Sequence, residues 1–336
     1  MNKLIIAATV MAASSPLFAQ KASAAPEGFD YTVDRFADIE VLRYQVPDFE
    51  NLSLNQKLFV YYLTEAALQG RDILFDQNGR YNLELRSLLE AIYKATPEAQ
   101  RDSADFKAFE KYLKQVWFGN GVHHHYSMDK FTPEFSQQFF DAQVAALPEA
   151  DKPADIATLR RLIFDPAFMS KRVNQADGVD LITTSACNLY GPGVTQAEVE
   201  DFYAKLKDPD DATPISYGLN SRLVKDADGS LREDVYKEGG LYSPAIEAIV
   251  ANLKLAAQYA ETPAQREVIN SLITFYQTGD LKEFDRYSIL WAEDTDPQVD
   301  FINGFIESYG DPLGMRGSWE SIAVAYTPLR AHQTAI

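Results

Sequence analysis

Apolar residues recur at helical spacing along most of this 336-residue chain. In the first clear stretch, Leu58, Tyr61, Tyr62, Ala66 and Leu68 approximate one apolar face. Helix-start signals precede many such runs. Ser53-x-x-Gln56, Thr195-x-x-Glu198 and Thr262-Pro263-x-Gln265 read as capping boxes, in which a hydroxyl and a side chain three residues on satisfy free backbone N–H groups. Pro263 suits a first helical position, where no N–H is needed. Thr132-Pro133-Glu134 and Ser243-Pro244 repeat the signal. The pattern predicts helices over 54–69, 82–95, 103–118, 133–146, 154–164, 196–206, 244–260, 263–278 and 281–291. Strand signals are fewer. Residues 215–224 and 231–237 flank Asp226-Ala-Asp-Gly229, a hairpin signature, and 299–309 reads as a further strand. Residues 25–50 read as extended and irregular, and no internal repeat appears. Runs of helix with a few strands, rather than alternating βαβ units, indicate a mostly helical α+β class.

The first 24 residues change the picture of where the chain resides. Lys3 supplies a short positive region, residues 4–18 an apolar core, and Ala22-Ser23-Ala24 a small-residue cleavage site. Together they read as a secretory signal peptide, too short for a membrane anchor. The expectation is a secreted or periplasmic protein. The single cysteine, Cys187, is remote from that site and cannot carry a lipid there, so a lipoprotein is not expected. One cysteine also forbids an internal disulfide. The formal charge of -18 argues against nucleic acid and anionic membranes as partners and favours cationic or amine-bearing ligands.

Candidate chemistry is sparse. In His123-His124-His125 only the outer two could share a face, and the only other histidine is His332. Zinc wants three or four ligands, so no metal is expected on this chain. Cys187 lacks a partner pattern for a nucleophile, and Asp208-Pro-Asp-Asp211 reads as a solvated acidic turn before it reads as a calcium site. The densest feature is Gly304-Phe-Ile-Glu-Ser-Tyr309-Gly-Asp-Pro-Leu-Gly314-Met-Arg-Gly317. Four glycines and an Asp-Pro step there mean a shaped backbone. Glu307 and Tyr309 stand two apart, so on an extended strand they share a face. A carboxylate beside a phenol can hold an amine and steady a developing oxyanion. The alternative is a tight connection whose Glu caps backbone and whose Tyr packs.

This motif, preceded by Trp291 and Val299, resembles the dipeptidyl peptidase III family of zinc metallopeptidases. So do Tyr61-Tyr-Leu-Thr-Glu-Ala-Ala-Leu-Gln-Gly-Arg-Asp72 and Tyr112-Leu-Lys-Gln-Val-Trp-Phe-Gly-Asn-Gly-Val-His-His-His-Tyr-Ser127, which look like its bacterial branch. The likeness runs from about Val41 to Ala323. It implies cleavage of dipeptides from the N-terminus of short peptides, in a two-lobed molecule whose lower lobe holds a small β-barrel and whose helical upper lobe carries zinc. By position in the motif, Glu307 matches the carboxylate that anchors the substrate amine and Tyr309 the tyrosine at the scissile carbonyl. Ile306 matches a subsite wall, and Tyr126, within His125-Tyr-Ser-Met128, aligns less securely with another part of it. The departure is large: the chain holds no H-E-x-x-G-H and no His-Glu pair. The expectation is therefore residues 1–24 as signal peptide, 25–322 as an incomplete substrate-binding lower lobe with a partial barrel, and 323–336 as a divergent tail. On this reading the zinc-bearing lobe is absent and the chain is inactive alone. Zinc belongs to the complete enzyme. The competing class is a secreted, non-catalytic peptide-binding module; a glycan-binding surface protein is weakened by the missing lipid-attachment cysteine.

Overall fold

A computed structural model describes residues 28–46 and 49–325. The expected signal peptide and the tail beyond residue 325 lie outside the described residues. The chain divides into two compact units, Met1–Gln45 and Val46–Ile336. In the first, β1 (Thr32–Phe36) and β2 (Ile39–Leu42) pair antiparallel, with Phe36 opposite Ile39. An Arg35–Glu40 ion pair at 2.6 Å crosses that hairpin. The extended, irregular reading of residues 25–50 is corrected here: alternation in Thr-Val-Asp-Arg-Phe suffices to build a strand.

The second unit is mostly helical. Its helices are α1 (Leu54–Gln69), α2 (Arg71–Asn78), α3 (Asn82–Ala95), α4 (Ala104–Phe118), α5 (Gln137–Ala146) and α6 (Ile156–Phe164). After a long irregular segment come α7 (Gln196–Leu206), α8 (Ser243–Ala256), α9 (Pro263–Thr278) and α10 (Leu281–Glu293). The Ser53 and Thr195 capping boxes form as expected. At α9 the box is rewired. Thr262 accepts from Gln265 N, but the Gln265 side chain accepts from Glu261 N and donates to Val299 O at 2.7 Å. Glu261 in turn accepts from Val299 N, so two side chains at the head of α9 satisfy the first residue of a strand. Helix α5 starts four residues later than expected, because Ser136, held by Asp105, is the capping residue.

The expected apolar face of α1 is also corrected. Phe59, Leu63 and Ala66 are the buried positions, while Tyr61 and Leu68 stay exposed at 53% and 56%. The i, i+4, i+7 row faces α8 and the β-structure, and it selects the face that is buried.

Four strands complete the unit as two separate antiparallel pairs. In the first, β3 (Ser221–Lys225) and β4 (Leu231–Val235) close over the expected Asp226–Gly229 turn. The expected strand over 215–220 is absent: Tyr217 N bonds Ile215 O and Leu219 N bonds Ser216 O, tight turns that break extension. In the second pair, β5 (Val299–Phe305) meets β6 (Trp319–Ala325), with Phe305 opposite Trp319. Thus β5 stops four residues short of the expected 309, and β6 crosses the expected boundary at 322. The architecture is α+β with small sheets, and no closed barrel forms among the described residues.

Three apolar clusters hold the unit. One joins α1, α8, α9, α10 and the β5–β6 pair; a second joins α3–α6; the third gathers Ile182–Tyr203 and β3. A contact at the α1–α2 corner locks β6 to the helices. A Cβ built on Gly70 would lie 1.7 Å from the Trp319 indole, so only glycine admits that ring. Beside it, the Gln77 amide donates to Gly317 O and accepts from Trp319 N, as a strand backbone would.

Candidate functional site

The fourteen-residue motif forms the end of β5 and the connection to β6. Two ladder bonds continue past the strand, Ile306 N to Ser318 O and Ser318 N to Glu307 O. Pairing with β6 therefore continues to Glu307, while Tyr309 already lies in the turn that Asp311 N closes onto Ser308 O; exposure still alternates from Ile306 to Tyr309. Glu307 and Tyr309 are exposed, with Ile306 and Ser308 half-buried. Gly317 allows this pairing, since a Cβ there would press within 2.6 Å of the Phe305 backbone.

The turn beyond is pinned from inside. Asp311 is buried, and its carboxylate accepts from Leu313 N, Met315 N and Arg316 N, and from the Tyr190 hydroxyl at 2.8 Å. Arg316 is fully buried, with its guanidinium 4.2 Å over the Tyr190 ring. It donates to the Tyr203 hydroxyl at 2.7 Å, which donates onward to Glu233 at 2.5 Å. The Asp-Pro step and the Arg-Gly step of the motif thus hold the shape of the turn rather than face solvent.

On the outer side, Tyr309 donates to Glu320 at 3.3 Å. Burial raises the Glu320 pKa, and the neighbouring Glu307 carboxylate raises it further. Partial burial, then Glu320, then Glu307 raise the Tyr309 pKa, while Arg172 pulls it down. The phenol is accordingly a hydrogen-bond donor at neutral pH. Two carboxylates sharing a face favour a cation between them, and a phenol beside them can donate to an oxygen on the bound molecule. The geometry suits a ligand with an ammonium group next to a carbonyl.

Ile306 faces elsewhere. With Ser308, Gly314 and Met315 it lines a cleft of about 1040 Å³, whose far wall is the Pro209–Tyr217 loop. Tyr126 is 81% exposed and packs on the His125 ring at 4.3 Å. No hydrogen bond, ion pair or ring contact joins Tyr126 to Glu307 or Tyr309 among the described residues. The link between the two segments is Arg172, which is buried, donates to His125 O at 3.3 Å, and interacts electrostatically with Tyr309.

Two neighbours in this site, Glu320 and Arg172, escaped the sequence reading. Glu320 reaches the site through the β5–β6 register, which sets it opposite Gly304 and which no local sequence signal gives. Arg172 sits in an irregular segment and carries no such signal.

The remaining candidates have structural roles. The His123 Nε2 bonds Met169 O at 2.8 Å, and His124 Nδ1 accepts from Tyr126 N and Ser127 N. Burial, with a contribution from Asp311, pushes the Cys187 thiol up to about 12. Asp208 and Asp211 accept from Asp210 N and Thr213 N within their own turn. Among the described residues no group of three or more His, Cys, Asp or Glu side chains could hold a metal ion.

Comparison with known proteins follows the same lines. The profile of the family described as Peptidase family M49 matches residues 220–332, which include Glu307, Tyr309 and Glu320. "Dipeptidyl peptidase 3" of Homo sapiens is 26% identical over 317 residues, covering 81% of this chain and 42% of the human protein. Its counterpart in Dictyostelium discoideum is 22% identical, with 81% and 41% covered. Among solved structures, DPP III from Caldithrix abyssi superposes with a TM-score of 0.55 at 18% identity, over 84% of this chain and 41% of that one. Dipeptidyl-peptidase III from Corallococcus sp. strain EGB gives 0.53 at 17%, over 84% and 40%. The resemblance to dipeptidyl peptidase III read from the motifs therefore stands, and the fold is shared. The chain spans about two-fifths of the length of the relatives it matches.

Proposed function

We propose that this chain, similar to dipeptidyl peptidase III over four-fifths of its length, contributes the amine-binding part of an exopeptidase that releases dipeptides from short peptides. The observation that carries the reading is the Glu307, Tyr309 and Glu320 cluster on one face of the β5–β6 connection, inside the segment that matches the peptidase family. An enzyme that counts two residues from a free N-terminus needs a fixed anion for the ammonium and a donor at the carbonyl. Glu307 supplies the first, with Glu320 adding negative charge. Tyr309 supplies the second, because a donor aimed at the developing oxyanion stabilises it more than the ground-state carbonyl. Buried Asp311 and Arg316 fix the turn beyond and limit its motion. Ile306 and Tyr126 are assigned to subsite walls by the resemblance alone; Ile306 lines the neighbouring cleft and Tyr126 makes no direct contact with the Glu307 face among the described residues. Zinc, on this reading, would be held by polypeptide outside the described residues, where it would supply an activated water; no step of it is assigned to this chain.

The signal-like N-terminus supports a secreted or periplasmic location, and no described helix is long and apolar enough to cross a membrane. The excess of acidic residues supports peptides rather than nucleic acid as partners.

The test is release of dipeptides from short peptides by the purified natural gene product. Tyr309→Phe lowers kcat about 100-fold, the scale for loss of one oxyanion donor. Glu307→Gln acts mainly on KM. Full activity in both variants contradicts the assignment. Saturable peptide binding with no dipeptide released transfers the reading to a peptide-binding module.

A further inference from the structure

A second cavity, of about 630 Å³, opens between the end of α6, the loop that follows it, and the Gly191–Val194 turn before α7. Its volume falls in the range of small-molecule sites. Its lining runs against the charge of the chain. The protein carries 49 acidic residues and 31 lysines and arginines, yet no Asp or Glu lines this cavity among the described residues. Two arginines do, Arg80 and Arg161.

Both guanidinium groups have capacity to spare. Arg80 is half-buried and makes no hydrogen bond or ion pair among the described residues. Its guanidinium is therefore available to an anion from solution. Arg161 is preorganised. Its Nε binds Asp165 at 3.0 Å and its guanidinium lies 4.2 Å over the Phe168 ring. Its two terminal nitrogens have no partner among the described residues. Phe168, Ile182 and Val194 give the cavity an apolar wall, and Thr183 adds a hydroxyl.

We propose that this cavity is a binding site for a small organic anion. Arg80 and Arg161 take its carboxylate or phosphate group, and Phe168, Ile182 and Val194 take its carbon skeleton. A guanidinium presents paired donors that match either oxyanion, so the recognised chemistry is the planar or tetrahedral anion on an apolar body. The site shares no residue with the Glu307 cluster and is independent of the peptidase reading.

The test is calorimetric titration of the purified natural gene product with phenylacetate, phenyl phosphate and neutral benzyl alcohol. The expected result is saturable binding of at least one anion at one per chain, weakened by added salt, with benzyl alcohol far weaker. Comparing the two anions identifies which group the site prefers. Arg80→Gln and Arg161→Gln each weaken binding about tenfold, the scale of a lost charge-assisted hydrogen bond. Arg80→Lys falls between wild type and Arg80→Gln. Arg161 is largely exposed, so Arg161→Gln carries the test should Arg80→Gln fold poorly. Absence of saturable binding by either anion, wild-type affinity in the glutamine variants, or equal binding of benzyl alcohol overturns the proposal.

Discussion

Three adjacent histidines invite a metal, but the first two rings are committed to backbone. His123 is 2% exposed, and because a carbonyl only accepts, its Nε2 carries the hydrogen that bonds Met169 O. Its Nδ1 is buried without a partner among the described residues. Burial pushes its pKa down to about 4 from an ordinary 6.5. The folded state thus holds fewer protons than the unfolded chain between those values, and stability rises with pH across that window. The contribution is complete above about 6.5 and is lost as pH falls toward 4, amounting to about 3 kcal/mol at full protonation. Urea melts at pH 7 and pH 5 measure it: His123→Gln flattens the difference between them. An unchanged slope in that variant would assign the pH dependence elsewhere. At this scale the shared exposure of Glu307 and Tyr309 was legible from their two-residue spacing, although Tyr309 sits in a turn and not on the strand which that spacing assumed. Glu320 and Arg172 were not, because strand register and an irregular segment bring them there. Ile306 shows the same rule in reverse: one residue from Glu307, it belongs to the other side and lines a different cleft.

Helices were legible where capping residues precede an apolar run, as at Ser53 and Thr195. Boundaries slipped where a second polar residue competed, as Ser136 does with Thr132. The short α2 escaped because Gly70 reads as a stop, whereas its backbone is ordinary right-handed, φ -82° and ψ -8°. What requires glycine at that corner is Trp319, some 250 residues on, and no local pattern encodes such a contact. Gly70→Ala therefore costs nothing in backbone conformation but drives a methyl into the indole. The expected loss is about 2 kcal/mol, within the range for overpacked cores, read as a lower denaturation midpoint at unchanged m-value. Trp319→Leu in the same background recovers part of it. A Gly70→Ala variant as stable as wild type would mean that the helix corner and β6 are not locked together.

Taken as one molecule, the chain pairs a strongly acidic composition with a small set of cations in chosen places. Arg316 is buried against two tyrosines under the motif, Arg172 joins the His125 segment to Tyr309, and Arg80 and Arg161 line a cavity free of carboxylates. The mostly helical α+β class was readable from the run of helical patterns. The pairing of β5 with β6 and the gathering of the core into three apolar clusters were not, because contacts between separate segments leave little trace in local periodicity. The functional reading concentrates on one face, where the acidic excess becomes specific: Glu307 and Glu320 beside Tyr309. Its central claim is that the Glu307 carboxylate holds the free amine of a peptide. The direct measurement is calorimetric titration of the natural gene product with one short peptide in two forms, free at its N-terminus and N-acetylated, for wild type and Glu307→Gln. The account predicts that wild type binds the free peptide at least about tenfold more tightly than the acetylated one, and that Glu307→Gln abolishes the difference. Equal binding of both forms by wild type, or a preference that survives Glu307→Gln, would contradict it.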